Sequence, residues 1–413
     1  MTAARRHQPA LMARRAEPCY TSPMHEPAPR TSLIQPISAG VLAAVVGFAS
    51  SFAIVLQGLP AVGASAAQAA SGLAALCVIK GCTGLYLTAR TKMPISIAWT
   101  TPGAALLVAS GAPAGGFSYA TGAFIFAAAL IVAAGLWRQF GELVGKIPQT
   151  LASAMLAGVL LPLCIAPVKA VSAMPVLALP IILVWALALR FARLYAVPLA
   201  VLVTAALVIF ATPVPPGALA DITPHAIFVM PAFSLDAIIS IGVPLFIVTM
   251  ASQNIPGMAV LNLNGYRPDV RPIFITTGLA SGLIALFGGH LVNLAAITAA
   301  LCAGPEAHPD PAKRYIATYA SGASYIVLGL AAGFAAAFIA ASPPLLIQAV
   351  AGLALLGSLA TALNAGLAKE DDRLPAILTF IVTASGVAFY GIGAAFWGLV
   401  AGGALMALLR AGR

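Results

Sequence analysis

From about residue 36 to residue 410 the chain is a succession of apolar stretches, most of them long enough to cross a hydrocarbon core, separated by short polar turns. No water is available inside a bilayer to hydrogen-bond the backbone. Such stretches must therefore be helices that satisfy themselves, or irregular segments buried in protein. At 61% hydrophobic and 8% charged residues, with a mean hydropathy of +1.01, no polar interval is long enough for a sizeable soluble domain. The expected fold class is an all-α polytopic membrane protein with fourteen transmembrane segments.

A net charge of +10 raises the question of nucleic acid, but the distribution of charge answers it. With the N-terminus inside, all of the 21 Lys and Arg except Lys80 and Lys169 fall on the cytoplasmic side. This asymmetry favours a topological role over nucleic-acid binding, with both termini cytoplasmic and the lipid bilayer as the partner. Residues 1–32 are rich in Arg and Pro and hold no apolar run. They read as a disordered cytoplasmic tail and not as a cleaved signal peptide, with a start at Met12 or Met24 as the alternative. Cys77, Cys82, Cys164 and Cys302 lie in apolar segments, and with Cys19 they show no metal-ligand spacing. No metal, cofactor or disulfide framework is expected.

Two segments depart from the helical pattern. In Met93–Ala104, Pro94 breaks any helix entering from Thr91, and Ile95–Trp99 suits an extended run. Thr100-Thr101-Pro102 is an N-cap followed by a first-turn proline, so a new helix should run to about Gly111. Roughly ten helical residues at 1.5 Å each cover half a hydrocarbon core, and about five extended residues cover the rest. Phe287–Thr298 repeats the pattern: Gly288-Gly289, a short extended run, and Asn293 as the cap of a helix ending near Cys302. Segments three (93–111) and ten (288–303) enter from opposite sides, each strand first, so both helix N-termini should meet at the midplane. Paired interruptions of this kind point to an inverted-repeat transporter with its site between the repeats. The repeats are expected at 33–215 (segments 1–7) and 225–411 (segments 8–14); two ordinary helices with breaker residues are the alternative.

Opposed helix N-termini make a positive, N–H-lined site suited to a carboxylate. Around it, Trp99 could stack on a planar ring or simply pack. Thr100 and Thr101 bring hydroxyls, one of them needed for capping. Gly103, Gly288 and Gly289 would admit a ligand or a neighbouring helix. His290 is the histidine that falls within an apolar segment, able to exchange a proton near neutral pH or to sit neutral between helices. Ser252-Gln253-Asn254 place amides at depth in segment eight (236–263), as ligand contacts or helix–helix glue. Ser50, Ser51, Phe48 and Phe52 of segment one (36–58) could line a ring pocket, though back-bonded serines are common. Lys80, near the centre of segment two (67–89), either counters a bound anion or snorkels to the cytoplasm. There is no intramembrane nucleophile–base pair, so an enzyme is not expected.

The stretches M-P-I-S-I-A-W-T-T-P-G-A-A-L-L (93–107), A-S-Q-N-I-P-G-M-A-V-L (251–261) and G-H-L-V-N-L-A-A-I-T-A-A-L-C-A-G-P-E-A-H-P-D-P-A-K-R-Y (289–315) resemble the benzoate/proton symporter (BenE) family, with likeness over about 33–411. The resemblance implies a benzoate:H⁺ symporter of the inner (plasma) membrane. It also implies the seven-plus-seven fold shared with nucleobase, sulfate and bicarbonate transporters, in which a core of segments 1–4 and 8–11 moves against a gate of segments 5–7 and 12–14. A homodimer is an open alternative. By position, the nucleobase relatives place ligand-binding side chains where Gln253 and His290 stand. Lys80, and Leu291-Val292 where a glycine would be expected, depart from the family pattern. The expected site therefore comprises Ser51, Phe52, Trp99, Thr100, Thr101, Gly103, Gln253, Asn254, Gly289, His290 and Asn293, with His290 carrying the proton and Lys80 as candidate counter-charge. A nucleobase or inorganic-anion transporter, or an anion channel, are the alternative functions.

Overall fold

The first apolar stretch is one span made of two helices, α1 (Ile34–Ala49) and α2 (Phe52–Ala61). Ser50 and Ser51 both donate to the Gly47 carbonyl, at 3.2 and 2.7 Å, and this back-bonding marks the break. A computed structural model describes residues 33–137, 139, 148–211, 225–390 and 392–411. The 1–32 segment lies outside the described residues, as do Arg138 and Lys146.

Helix α3 (Ala66–Thr91) opens with a reciprocal capping box between Ser65 and Gln68, and closes at Lys92 in the left-handed conformation. Then come strand β1 (Ile97–Trp99) and helix α4 (Thr101–Ser110), whose first turn holds Pro102. They are followed by α5 (Phe117–Leu136), α6 (Gln149–Ala173), α7 (Pro175–Phe191) and α8 (Ala196–Ala211). Helix α9 (Leu235–Leu263) is interrupted by two π-helical turns, Ile238–Gly242 and Met250–Asn254. Next come α10 (Val270–Ala285), β2 (Val292–Leu294), the short α11 (Ile297–Ala303), α12 (Tyr315–Leu330) and α13 (Ala332–Ala341). The last three helices are α14 (Pro344–Gly366), α15 (Arg373–Ala384) and α16 (Ala394–Ala411).

Among the described residues eight helices are long and apolar enough to cross a membrane, and nine if the α12–α13 pair, bent by 55°, is one span. Three shorter apolar helices, α4, α7 and α10, accompany them. The chain is therefore a mostly helical multi-pass membrane protein. Strands β1 and β2 pair antiparallel, Ala98 opposite Asn293, and the ladder continues through Thr100 N–H to Leu291 O (3.1 Å) and Ala295 N–H to Ser96 O (2.9 Å). Around it, α3 packs on α12, α12 on α1, and α5 on α10. A second set packs α6 against α14 and α15, and α15 against α16. Buried Asp372 ties that set together by accepting hydrogen bonds from Thr150 (3.0 Å) and Arg410 (2.9 Å).

Candidate functional site

A cavity of about 530 Å³ opens where the ladder meets α14 and the Arg193–Val197 turn. One wall is the C-terminal end of β1 and the first turn of α4: Ala98, Trp99, Thr101 and Pro102. A second is the residues that follow β2 into α11: Ala295, Ala296 and Thr298. Helix α1 adds Gly47, Ser50 and Ser51, and the π-turn of α9 adds Gln253. A π-turn widens the helix and turns side chains off their usual register, a recurrent device at functional sites. Here Gln149 of α6 occupies one carbonyl of that turn by donating to Ala251 O at 3.1 Å.

The aromatic wall is held in place by specific bonds. Trp99 donates its indole N–H to Ser51 Oγ at 2.9 Å, and Ser51 donates onward to Gly47 O. Its ring meets Tyr325 of α12 edge-to-face at 5.6 Å between centroids, and Phe48 at 6.1 Å. Lys80 lies behind these rings at the cavity wall, 3% exposed, with Nζ 2.9 Å from the Tyr325 ring centroid and 4.6 Å from that of Trp99. The aromatic faces supply a cation–π environment. The ion pairs found among the described residues are Arg373–Glu370 and Arg410–Asp372, and Lys80 takes part in neither. The other charged groups lining the cavity, Arg193 and Glu306, are exposed at its mouth.

Of the residues expected from the sequence, the cavity brings together Ser51, Lys80, Trp99, Thr101 and Gln253. The remainder sit one layer back. Thr100 is fully buried, and its hydroxyl accepts the Gly103 N–H at 3.1 Å as the α4 cap. Gly103 serves close packing, since a Cβ there would come within 2.6 Å of Leu245 Cδ1 and 2.9 Å of Thr100 Oγ1. Phe52 stacks on Phe48 at 5.0 Å and supports the ring that in turn meets Trp99. Asn254 accepts the Leu294 N–H at 3.0 Å and so pins β2 from behind.

Asn293 differs from its expected role as a helix cap. It lies within β2, its amide donates to Leu294 O at 2.6 Å, and α11 begins three residues beyond the strand with no side-chain cap. Gly289 and His290 also stand apart from the cavity. Among the described residues the cavity is reached by those that follow β2, from Ala295 on, and not by those that precede it. His290 is fully buried, its Nδ1 lies 3.2 Å from Leu291 O, and its Nε2 has no partner. Tyr325, Thr298 and Arg193 are lining residues that the sequence reading does not single out. Tyr325 had one available signal, a polar aromatic in a run of small residues at 321–325. Among the described residues no three His, Cys, Asp or Glu side chains gather into a metal-binding group.

Comparisons with known proteins identify the family and the fold. The family described as "Benzoate membrane transport protein" (BenE) matches residues 31–408. The chain is 40% identical over 371 residues to the inner membrane protein YdcO of Escherichia coli, covering 90% of this chain and 95% of that protein. It is 33% identical over 364 residues to a benzoate membrane transport protein of Acinetobacter baylyi, covering 88% and 92%. Among solved structures it resembles the transmembrane domain of the cyanobacterial bicarbonate transporter BicA, at a TM-score of 0.55 and 15% identity over 89% of this chain and 98% of that one. It also resembles the murine anion transporter Slc26a9 in an inward-facing state, at 0.60 and 13% identity over 98% and 76%. At these identities the two structures speak to the fold alone.

Proposed function

The chain belongs to the BenE family of benzoate membrane transport proteins, and from that premise we propose that it takes up benzoate or a closely related aromatic carboxylate together with protons across the inner membrane. The observation that carries this reading is the composition of one cavity. A ring-bearing wall (Trp99), the capped N-terminus of α4, the Gln253 amide and the Lys80 nitrogen converge on a space of about 530 Å³. That volume suits a small organic anion. The positive end of the α4 dipole and Lys80 favour the carboxylate end, and Trp99 favours the ring end.

The fourteen-segment, seven-plus-seven reading belongs to the same proposal. Segments three and ten are β1 with α4 and β2 with α11. Segments two and eleven are α3 and α12 with α13, and segments four and nine are α5 and α10. An inverted repeat exchanges those two pairs, and both are in close contact. The ladder set then forms the core, and α6–α8 with α14–α16 form the gate. With the orientation read from the charge distribution, the mouth bearing the exposed Arg193 and Glu306 opens to the cytoplasm, on the same side as both termini. Energetics supports proton coupling, because moving a carboxylate into a negative interior is opposed by about 2.3 kcal/mol per 100 mV, and a co-transported proton cancels that term.

Uptake of labelled benzoate by proteoliposomes under an imposed inward acid gradient tests the reading. Uphill accumulation that collapses with a protonophore is expected. Accumulation that never exceeds equilibrium would mean a channel, and displacement of benzoate by uracil or sulfate would mean a different substrate class.

A further inference from the structure

Lys80 is a buried basic nitrogen that the family resemblance does not account for. It faces the cavity from the middle of α3, with an aromatic ring on two sides and no carboxylate bridging it among the described residues. The groups packed around it are few. Cys77 comes from its own helix, Cys302 from α11 and Tyr325 from α12, while Ser96, just before β1, and Trp99 at its end are not ionisable. The charged residues at the mouth, Arg193 and Glu306, are exposed and line a different part of the wall. His290, the other basic group at this depth, does not reach the cavity.

A permanently charged ammonium here would have no anion beside it whenever the site is empty, and buried charges without partners are strongly disfavoured. A neutral amine has no such difficulty, because its N–H groups can rest on the ring faces. An arriving carboxylate changes the balance by supplying the missing counter-charge. Resting on the aromatic-carboxylate reading above, we propose that Lys80 is the coupling residue: it takes up the transported proton when the anion enters and gives it up when the anion leaves. The step is balanced. One proton from water on the open side joins Lys80 Nζ, the resulting ammonium pairs with the carboxylate, and release on the other side returns both to water. The core then crosses without net change of charge in either direction, full or empty. Proton and anion are coupled because each is needed to hold the other.

The first test is proton uptake by the purified full-length protein in weakly buffered detergent, read with a pH indicator as benzoate is added. The wild type is expected to take up about one proton per benzoate bound above the proton affinity of free benzoate. Lys80→Arg keeps a positive charge that does not titrate. It should still bind benzoate, take up no proton, and lose the acceleration of uptake by an inward acid gradient. In proteoliposomes its uptake should also fall when an inside-negative potential is imposed, whereas wild-type uptake at a fixed pH gradient should not change. Lys80→Gln should weaken benzoate binding by about 10- to 100-fold, as expected for loss of one charge-assisted hydrogen bond. Proton uptake retained in Lys80→Arg, or abolished in His290→Asn, would overturn the assignment while leaving benzoate transport intact. Failure of the wild type to bind any aromatic carboxylate would overturn the functional reading instead.

A measurement on the wild type covers the case in which the variants do not fold. Reductive methylation requires a neutral amine. Mass spectrometry should show Lys80 methylated in the empty protein and protected by benzoate. Equal resistance to methylation with and without benzoate would overturn the proposal.

Discussion

The strand–helix unit made of β1 and α4 and the one made of β2 and α11, the two crossings of the proposed reading, use the same parts, yet they are secured at different points. In the first, side chains fix the helix: Thr100 caps Gly103 N–H and Pro102 stiffens the opening turn of a ten-residue helix. In the second, side chains fix the strand: Asn254 holds Leu294 N–H and Ser281 holds Val292 N–H at 2.9 Å, while the seven-residue α11 starts at Ile297, and Ala296 at its N-cap position brings no side-chain cap. The first crossing thus presents a rigid helix end beside Trp99 and Lys80. The second presents a rigid strand, after which Ala295, Ala296 and Thr298 bring small side chains to the cavity. One unit supplies directed chemistry, and the other supplies a firm backing for it.

If that division holds, the largest effect should come from loosening the strand of the second crossing. Asn254→Ala leaves the fully buried Leu294 N–H without its acceptor, which costs about 1–3 kcal/mol. The unfolding midpoint in detergent is expected to drop, and benzoate affinity should drop with it because the ladder carries both walls of the cavity. Thr100→Ala is expected to cost less, about 1 kcal/mol, the usual worth of an N-cap. Thr100→Ser should restore most of it. A Thr100→Ala loss larger than that of Asn254→Ala, measured on the same preparation, would reverse the comparison and make the helix end the weaker point.

The first crossing was readable in sequence because its signals are local. Pro94 ends a helix, Thr100 caps the next and Pro102 occupies its first turn, all within a dozen residues of one another. The second was misread at Asn293 for an equally physical reason. An Asn before an apolar run looks like a cap, but here strand pairing with Ala98, almost two hundred positions away, determines its conformation. The same limit applies to the site. Gln253 and Ser51 stood out because polar groups at depth need partners, and both line the cavity. Tyr325 did not, since its significance comes from lying 2.9 Å from a lysine on another helix. His290 coincided with a break in the pattern, but nothing local told which side of the ladder it would occupy.

The smallest expected effect probes why the second helix lacks a cap. Ala296 has φ −95° and ψ −54°, a helical conformation, whereas Thr100 has φ −77° and ψ 91°, extended as capping requires. A serine at 296 would therefore direct its hydroxyl poorly at the α11 N–H groups, and Ala296→Ser should change stability by less than about 0.5 kcal/mol. Stabilisation by a full cap's worth, about 1 kcal/mol in thermal unfolding, would show that the backbone at 296 moves readily into the extended form. The two crossings would then differ by one side chain and not by their backbone. A near-zero result, set beside a clear loss in Thr100→Ala, would place the asymmetry in the chain's conformation, with the cap confined to the half that holds Lys80.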